Sequence, residues 1–207
     1  VESIVDDIIS SPEGDENTAE TLCLLGGIFL DFDRTFCSTK SGGSPLPQGK
    51  VKPQKGGNIK IVSDHTLDQG LLNLAFNYPN LVHIVTRNSH VDDIRTFLDI
   101  NNVPASIKIR SVKKEQTTKG AVIQTILKTK KEEILMNLNE RTISTTGKKI
   151  SGQSKRQIIS KKIQIIGIFV DDDIREHLHP EMNSVINDAD NLGIGLRRIL
   201  FVRDVRK

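Results

Sequence analysis

Four clusters of oxygen- and nitrogen-bearing side chains stand in chemically suggestive places. Asp31 and Asp33 close the apolar run that begins at Leu22, and Thr86-Arg87-Asn88 follows the run Leu81–Val85. Lys119 stands at the start of an amphipathic segment, and Asp171-Asp172-Asp173 follows Ile163–Val170. In an extended segment alternate residues share a side, so Asp31 and Asp33 point one way and Phe32 the other, into a core. Two such carboxylates repel, and each raises the pKa of the other unless a cation sits between them. Three more acids at the end of an apolar strand cannot be left buried and unpaired. A hard divalent cation is the natural compensation, since Mg²⁺ takes oxygen ligands: one or two carboxylates plus water and substrate phosphate oxygens. The Thr86 hydroxyl can donate to an anionic oxygen. Taken singly, a DxD is commonly a surface turn and Thr-Arg-Asn a helix cap; the combination points to a site for a hard divalent cation.

The elements that must position these residues follow from hydrophobic period and punctuation. Leu22 onward, Leu81–Val85, Ser106–Val112, Ile163–Val170 and Ile199–Val202 read as strands. His65–Asn77, Ser89–Ile100 and a segment from about Thr118, with Thr117 or Thr118 as cap, read as helices; Lys128–Glu140 prolongs the last or starts another. Residues Asp173–Asn191 read as loop and helix. Strands alternating with helices predict an α/β fold, a doubly wound, Rossmann-like, mostly parallel sheet of about five strands with helices on both faces. Ligands of such sheets sit beyond the carboxyl ends of the strands, where all four clusters fall. Three segments lie outside this pattern. Val1–Ser10 reads as a short amphipathic helix followed by an acidic linker to Thr21; Phe36–Lys60 as a long loop rich in Gly, Pro, Ser and Lys; and Arg141–Lys162 as a low-complexity, mobile insertion. Residues 22–207 are therefore expected to form one domain.

Strand-DxDxT, strand-Thr, Lys at a helix start and strand-DD, in that order, resemble the four motifs of the haloacid dehalogenase-like phosphohydrolases over roughly Leu24–Val202. The resemblance implies Asp31 as the nucleophile that forms an aspartyl-phosphate. It implies Asp33 as general acid and then base. Thr86 and the following amide would bind phosphoryl oxygens, and Lys119 would neutralise them. Mg²⁺ would be held by Asp31, the Asp33 backbone carbonyl and Asp172, with Asp171 or Asp173 nearby. Lys113 and Lys114 compete for the motif lysine; Lys119 is preferred because it opens a helix. Arg34 stands where the family commonly has a small residue, often Gly, and either clasps a substrate phosphate or points to solvent. Thr35, Arg87 and Asn88 complete the candidate substrate contacts. Receiver domains use the same residue types in an order this chain does not match, and His177 and His179, without a nearby Cys, read as a surface turn rather than a zinc site.

Composition narrows the setting. Two cysteines, Cys23 and Cys37, outside any metal-binding spacing exclude a disulfide scaffold and point to a reducing compartment, cytoplasmic or nuclear. No apolar stretch approaches the ~20 residues needed to cross a bilayer. The chain opens with Val1, as a piece cut from a longer protein would. Net charge is +3, but residues 36–60 carry five lysines and no acid, and residues 141–162 seven bases and no acid. Solvated loops explain such runs as well as a phosphate-binding surface does. Members of the family this chain resembles often carry a cap domain at these places; no full cap fits between Thr35 and Thr86 or between Thr86 and Lys119, and the open site the resemblance then implies suits a phosphate on a macromolecule: a polynucleotide end or a phosphoprotein. A cationic loop beside the nucleophile would attract a polyanion. The alternatives are a small-molecule phosphatase and a non-catalytic Mg²⁺- or phosphate-binding module of a larger protein.

Overall fold

The computed structural model describes residues 3, 22–39, 46, 51–53, 59–61, 64–146, 163–187 and 193–202. Its central feature is a sheet of five parallel strands in the order β7-β6-β1-β8-β9. These are β1 (Leu22–Leu30), β6 (Val82–Thr86), β7 (Lys108–Ser111), β8 (Ile163–Asp171) and β9 (Ile194–Leu200). Among the described residues they are connected and covered by helices α1 (Gln69–Asn77), α2 (Val91–Ile100), α3 (Lys119–Thr146), α4 (Ile174–His177) and α5 (Pro180–Asn187). The doubly wound α/β arrangement expected from the alternation of strands and helices is thus present.

The two-residue period of the strands divides the core. Ile28, Leu30, Ile84, Ile168 and Val170 face the side covered by α1 and α2, packing with Leu71, Leu74, Ile94, Phe97 and Leu98. Phe29, Val85, Ile165 and Phe169 face the other side, against Ile123 and Leu127 of α3 and Met182 and Val185 of α5. The central strands are apolar on both faces, as buried parallel strands must be. In β1 the pairing with β8 shifts between Leu25 and Gly27. Gly26 sits at this bulge because a Cβ there would stand 2.2 Å from Ile165 Cγ2 and 2.8 Å from Leu127 Cδ2.

Helix starts follow their caps. Asp68 accepts from Leu71 N at 3.0 Å, so α1 begins at Gln69. The residues before it, which the period had assigned to the helix, instead form β5 (Thr66–Leu67), antiparallel to β2 (Cys37–Ser38). Thr118 accepts from Ala121 N at 3.2 Å and caps α3, which runs on through Lys128–Glu140 as one helix of 28 residues. Arg141–Thr146 therefore belong to that helix and not to a low-complexity insertion; residues 147–162 lie outside the described ones. α2 begins at Val91 rather than Ser89, with Asp92 and Asp93 in its first turn complementing the helix dipole.

Two further expectations change. The segment 36–60 is not loop throughout: besides β2 it contains β3 (Val51–Pro53) and β4 (Ile59–Ile61), paired antiparallel with Val51 opposite Ile61. The apolar-Lys-apolar alternation of Ile59-Lys60-Ile61 was the sequence signal. β9 starts at Ile194, not Ile199, because Gly195, Arg197 and Arg198 interrupt its apolar run, which an edge strand with a solvent side tolerates. The expected N-terminal helix lies, apart from Ser3, outside the described residues. Among those residues no helix is long and apolar enough to cross a membrane.

Candidate active site

β6, β1 and β8 are neighbours, so their carboxyl ends lie together. Leu30 is opposite both Ile84 of β6 and Val170 of β8, which sets Asp31 beside Asp171 one residue on. Asp31 continues the sheet for one more bond, donating its amide to Val170 O at 2.9 Å. The chain then turns, tied by Phe36 N to Asp31 O at 3.2 Å and Cys37 N to Phe32 O at 2.7 Å. Phe32 is fully buried while Asp31 and Asp33 both line a cleft of about 250 Å³, so the expected alternation survives the end of the strand.

The floor of the cleft is a buried charge cluster. Lys119, in the first turn of α3, donates from Nζ to Asp31 Oδ1 at 2.6 Å and to Asp171 Oδ2 at 2.7 Å, with the three side chains 3%, 8% and 1% exposed. This selects Lys119 over Lys113 and Lys114, both exposed, as the lysine that meets the acids. Burial pushes Asp31 up to about 7 against the pull of the Lys119 ammonium, with Asp171 adding to the rise. Asp171 is raised by burial as well, less the pull of Lys119. Burial alone would lower Lys119, but the two carboxylates outweigh it and hold the ammonium above its ordinary value.

The triple acid resolves into three different jobs. Asp171 meets Lys119. Asp172 receives a hydrogen bond from Thr35 Oγ1 at 3.2 Å and gives its amide to the same oxygen at 3.0 Å. Asp173 caps α4 and is gripped by Arg175, with Nη2 at 2.6 Å, which holds its carboxyl down at about 2. Carboxylate oxygens of Asp31, Asp171 and Asp172 lie within 4.8 Å of one another. This donor set is all oxygen and hard, and one ammonium leaves it with excess negative charge, which suits Mg²⁺. The Asp33 carboxylate is not among the three.

Asp33 is instead held from the other side. Leu46 N donates to its Oδ1 at 2.9 Å, and Asn88 Nδ2 reaches the same oxygen at 3.4 Å and the Leu46 carbonyl at 3.2 Å. Burial still outweighs these donors and raises the Asp33 pKa. Asn88 therefore orients Asp33, and its amide donates to Thr86 Oγ1 at 3.1 Å, leaving the Thr86 hydroxyl proton to another acceptor. Thr86 is fully buried at the cleft wall. Thr35 is also fully buried and serves Asp172; it does not line the cleft, so it is not placed to touch substrate as expected.

Arg34 and Arg87 line the mouth. Arg34 has φ +68°, a left-handed backbone that costs a side-chain-bearing residue roughly 1 kcal/mol and that a glycine adopts freely. Its amide donates to Cys37 O at 2.7 Å. Arg87, with its side chain 69% exposed, pairs through Nε with the buried Glu176. Three participants escaped the sequence. Leu46 is an isolated apolar residue between two prolines, 2% exposed, and that isolation in a polar loop was a legible sign of an anchor. Glu176 carried no signal. His177, read as part of a surface turn, is 4% exposed; its Nε2 lies 3.1 Å from Asp171 O and its ring packs on Phe169 with centroids 5.1 Å apart.

No protein-family profile, no curated protein and no solved structure matches this chain.

Proposed function

We propose that the chain is a Mg²⁺-dependent phosphomonoester hydrolase of the haloacid dehalogenase-like type, acting through an aspartyl-phosphate on a phosphate borne by a macromolecule. The observation that carries this reading is the buried Lys119 bridging Asp31 and Asp171, with the Asp172 carboxylate close by, at the carboxyl edge of a parallel sheet. Asp31 attacks phosphorus along the line of the leaving oxygen. Thr86 and the amide that follows donate to the phosphoryl oxygens, and Lys119 balances their charge as it grows. Asp33, kept protonated to higher pH by burial, gives its proton to the leaving oxygen and later takes one from the water that cleaves the acyl phosphate. Bound among Asp31, Asp171 and Asp172, Mg²⁺ would supply the positive charge that draws the dianionic phosphoryl group onto a carboxylate. We favour a macromolecular substrate because the stretch of about 50 residues between Thr35 and Thr86, whose described residues form short strands and one helix, leaves no room for a full cap domain.

The test is hydrolysis of an aryl phosphate by the purified chain with Mg²⁺ and with EDTA. Turnover should require Mg²⁺. Asp31→Asn should abolish it, and Asp33→Asn should slow it by the ~10² to 10⁴ typical of general acid-base catalysis. Full activity in EDTA or in Asp31→Asn would refute the mechanism.

A further inference from the structure

The cleft has a gradient of depth. Its floor and wall, Asp31, Thr86, Lys119 and Asp171, are at most 5% exposed, while Arg34 at the mouth is exposed. Among the described residues three cations line it: Lys119, Arg87 and Arg34. Lys119 is engaged by two carboxylates and Arg87 by Glu176. The Arg34 guanidinium alone of the three forms no ion pair or side-chain hydrogen bond among the described residues. It is also the residue held at φ +68°, where glycine would cost nothing. A long cationic side chain that lines the cleft mouth on a left-handed backbone, with no partner among the described residues, is placed to meet an anion that arrives.

We infer that Arg34 grips a second phosphate of the substrate, farther out than the phosphate that reacts on the floor. This rests on the phosphomonoesterase reading of the cleft and narrows its substrate class to compounds with two neighbouring phosphates. The reacting phosphate is already provided for by Lys119 and Thr86, so a free guanidinium farther out serves a different anion. Its planar, forked donors match a phosphate as well as a carboxylate, and the phosphate is the anion a phosphate-ester substrate carries. Among the described residues the lining is charged and polar, which suits recognition of the phosphates themselves. The second phosphate can belong to a free sugar bisphosphate or to the first phosphodiester of a nucleic-acid strand.

Calorimetric binding to the Asp31→Asn chain in Mg²⁺ tests this with adenosine 3′-monophosphate, adenosine 3′,5′-bisphosphate, a 3′-phosphorylated trinucleotide and a phosphoserine peptide. The bisphosphate should bind about tenfold more tightly than the monophosphate, and Arg34→Gly should erase that ratio while Arg34→Lys keeps part of it. The ratio of kcat/KM for bisphosphate over monophosphate, in the otherwise unaltered chain and in Arg34→Gly, gives the same comparison without the Asp31 change. A trinucleotide preferred over the bisphosphate identifies a strand end as the source; parity identifies the phosphate pair alone. Equal binding of mono- and bisphosphate, a ratio that survives Arg34→Gly, or a phosphoserine peptide bound as well as the bisphosphate would overturn the inference. Hydrolysis without the preference leaves the esterase reading intact and removes this one. A preference without hydrolysis removes the esterase reading and, with it, the reacting phosphate, leaving Arg34 only as a contact for a bound phosphate pair.

Discussion

At the scale of single residues, stability and chemistry meet in Lys119. Its ammonium is the sole cation touching Asp31 and Asp171 among the described residues, and all three side chains are nearly inaccessible to water. Breaking a buried ion pair from one side leaves uncompensated charge, which costs more than the pair contributes. Lys119→Met should therefore destabilise the chain by about 3 kcal/mol at pH 7 in metal-free buffer, read from urea denaturation. Added Mg²⁺ should return part of the loss, because it offers the stranded carboxylates another cation. An unchanged urea midpoint would mean that the cluster is held by the fold and not by its charges.

At the scale of elements, the lysine is placed by how closely α3 approaches α5. A Cβ at Gly120 would stand 2.9 Å from Glu181 C and 2.9 Å from Met182 N, backbone atoms that cannot swing aside. The contact is reinforced by the hydroxyl of the cap residue Thr118, which donates to Glu181. Gly120→Ala would ordinarily favour a helix, but here it must push the two helices apart. We expect a net destabilisation of roughly 1–3 kcal/mol, the range of overpacked sites, and, for the hydrolysis proposed above, a fall in kcat out of proportion to it because Lys119 moves with the first turn. A stabilised Gly120→Ala chain would show that α5 gives way without cost.

For the molecule as a whole, pH acts through groups far from the cleft as well as within it. His83 is half-buried on β6, stacked on Phe29 with ring centroids 5.5 Å apart, and its Nδ1 has no hydrogen-bond partner among the described residues. Burial, with Lys108, Arg110 and Lys130 nearby, pulls its pKa from 6.5 to about 4. The unfolded chain thus binds a proton that the folded chain refuses between these values, so this group makes stability fall as pH falls from about 6.5 to about 4. Across that window the melting temperature should drop less in His83→Leu than in the unaltered chain. Parallel curves for the two would exclude His83 as a source of acid lability.

Periodicity and punctuation are local properties, which is why they were legible along the chain. Apolar runs located the three inner strands, and two-residue alternation set Asp31 and Asp33 on one side with Phe32 in the core. The Thr118 cap marked the start of α3, and parallel order placed every candidate group at one edge of the sheet. Partner choice among buried charges is not local. Asp171, Asp172 and Asp173 are indistinguishable in sequence. Their roles were assigned only when Lys119 arrived from α3, Thr35 from the turn after β1, and Arg175 from the next helix. The same holds for Glu176 under Arg87, for Leu46 on Asp33, and for the left-handed Arg34, whose backbone is imposed by the turn that binds Cys37. The physical reason is range. A side-chain period is decided within a few residues, whereas a charge removed from water takes whatever compensation the packed chain brings to it, from however far along the sequence.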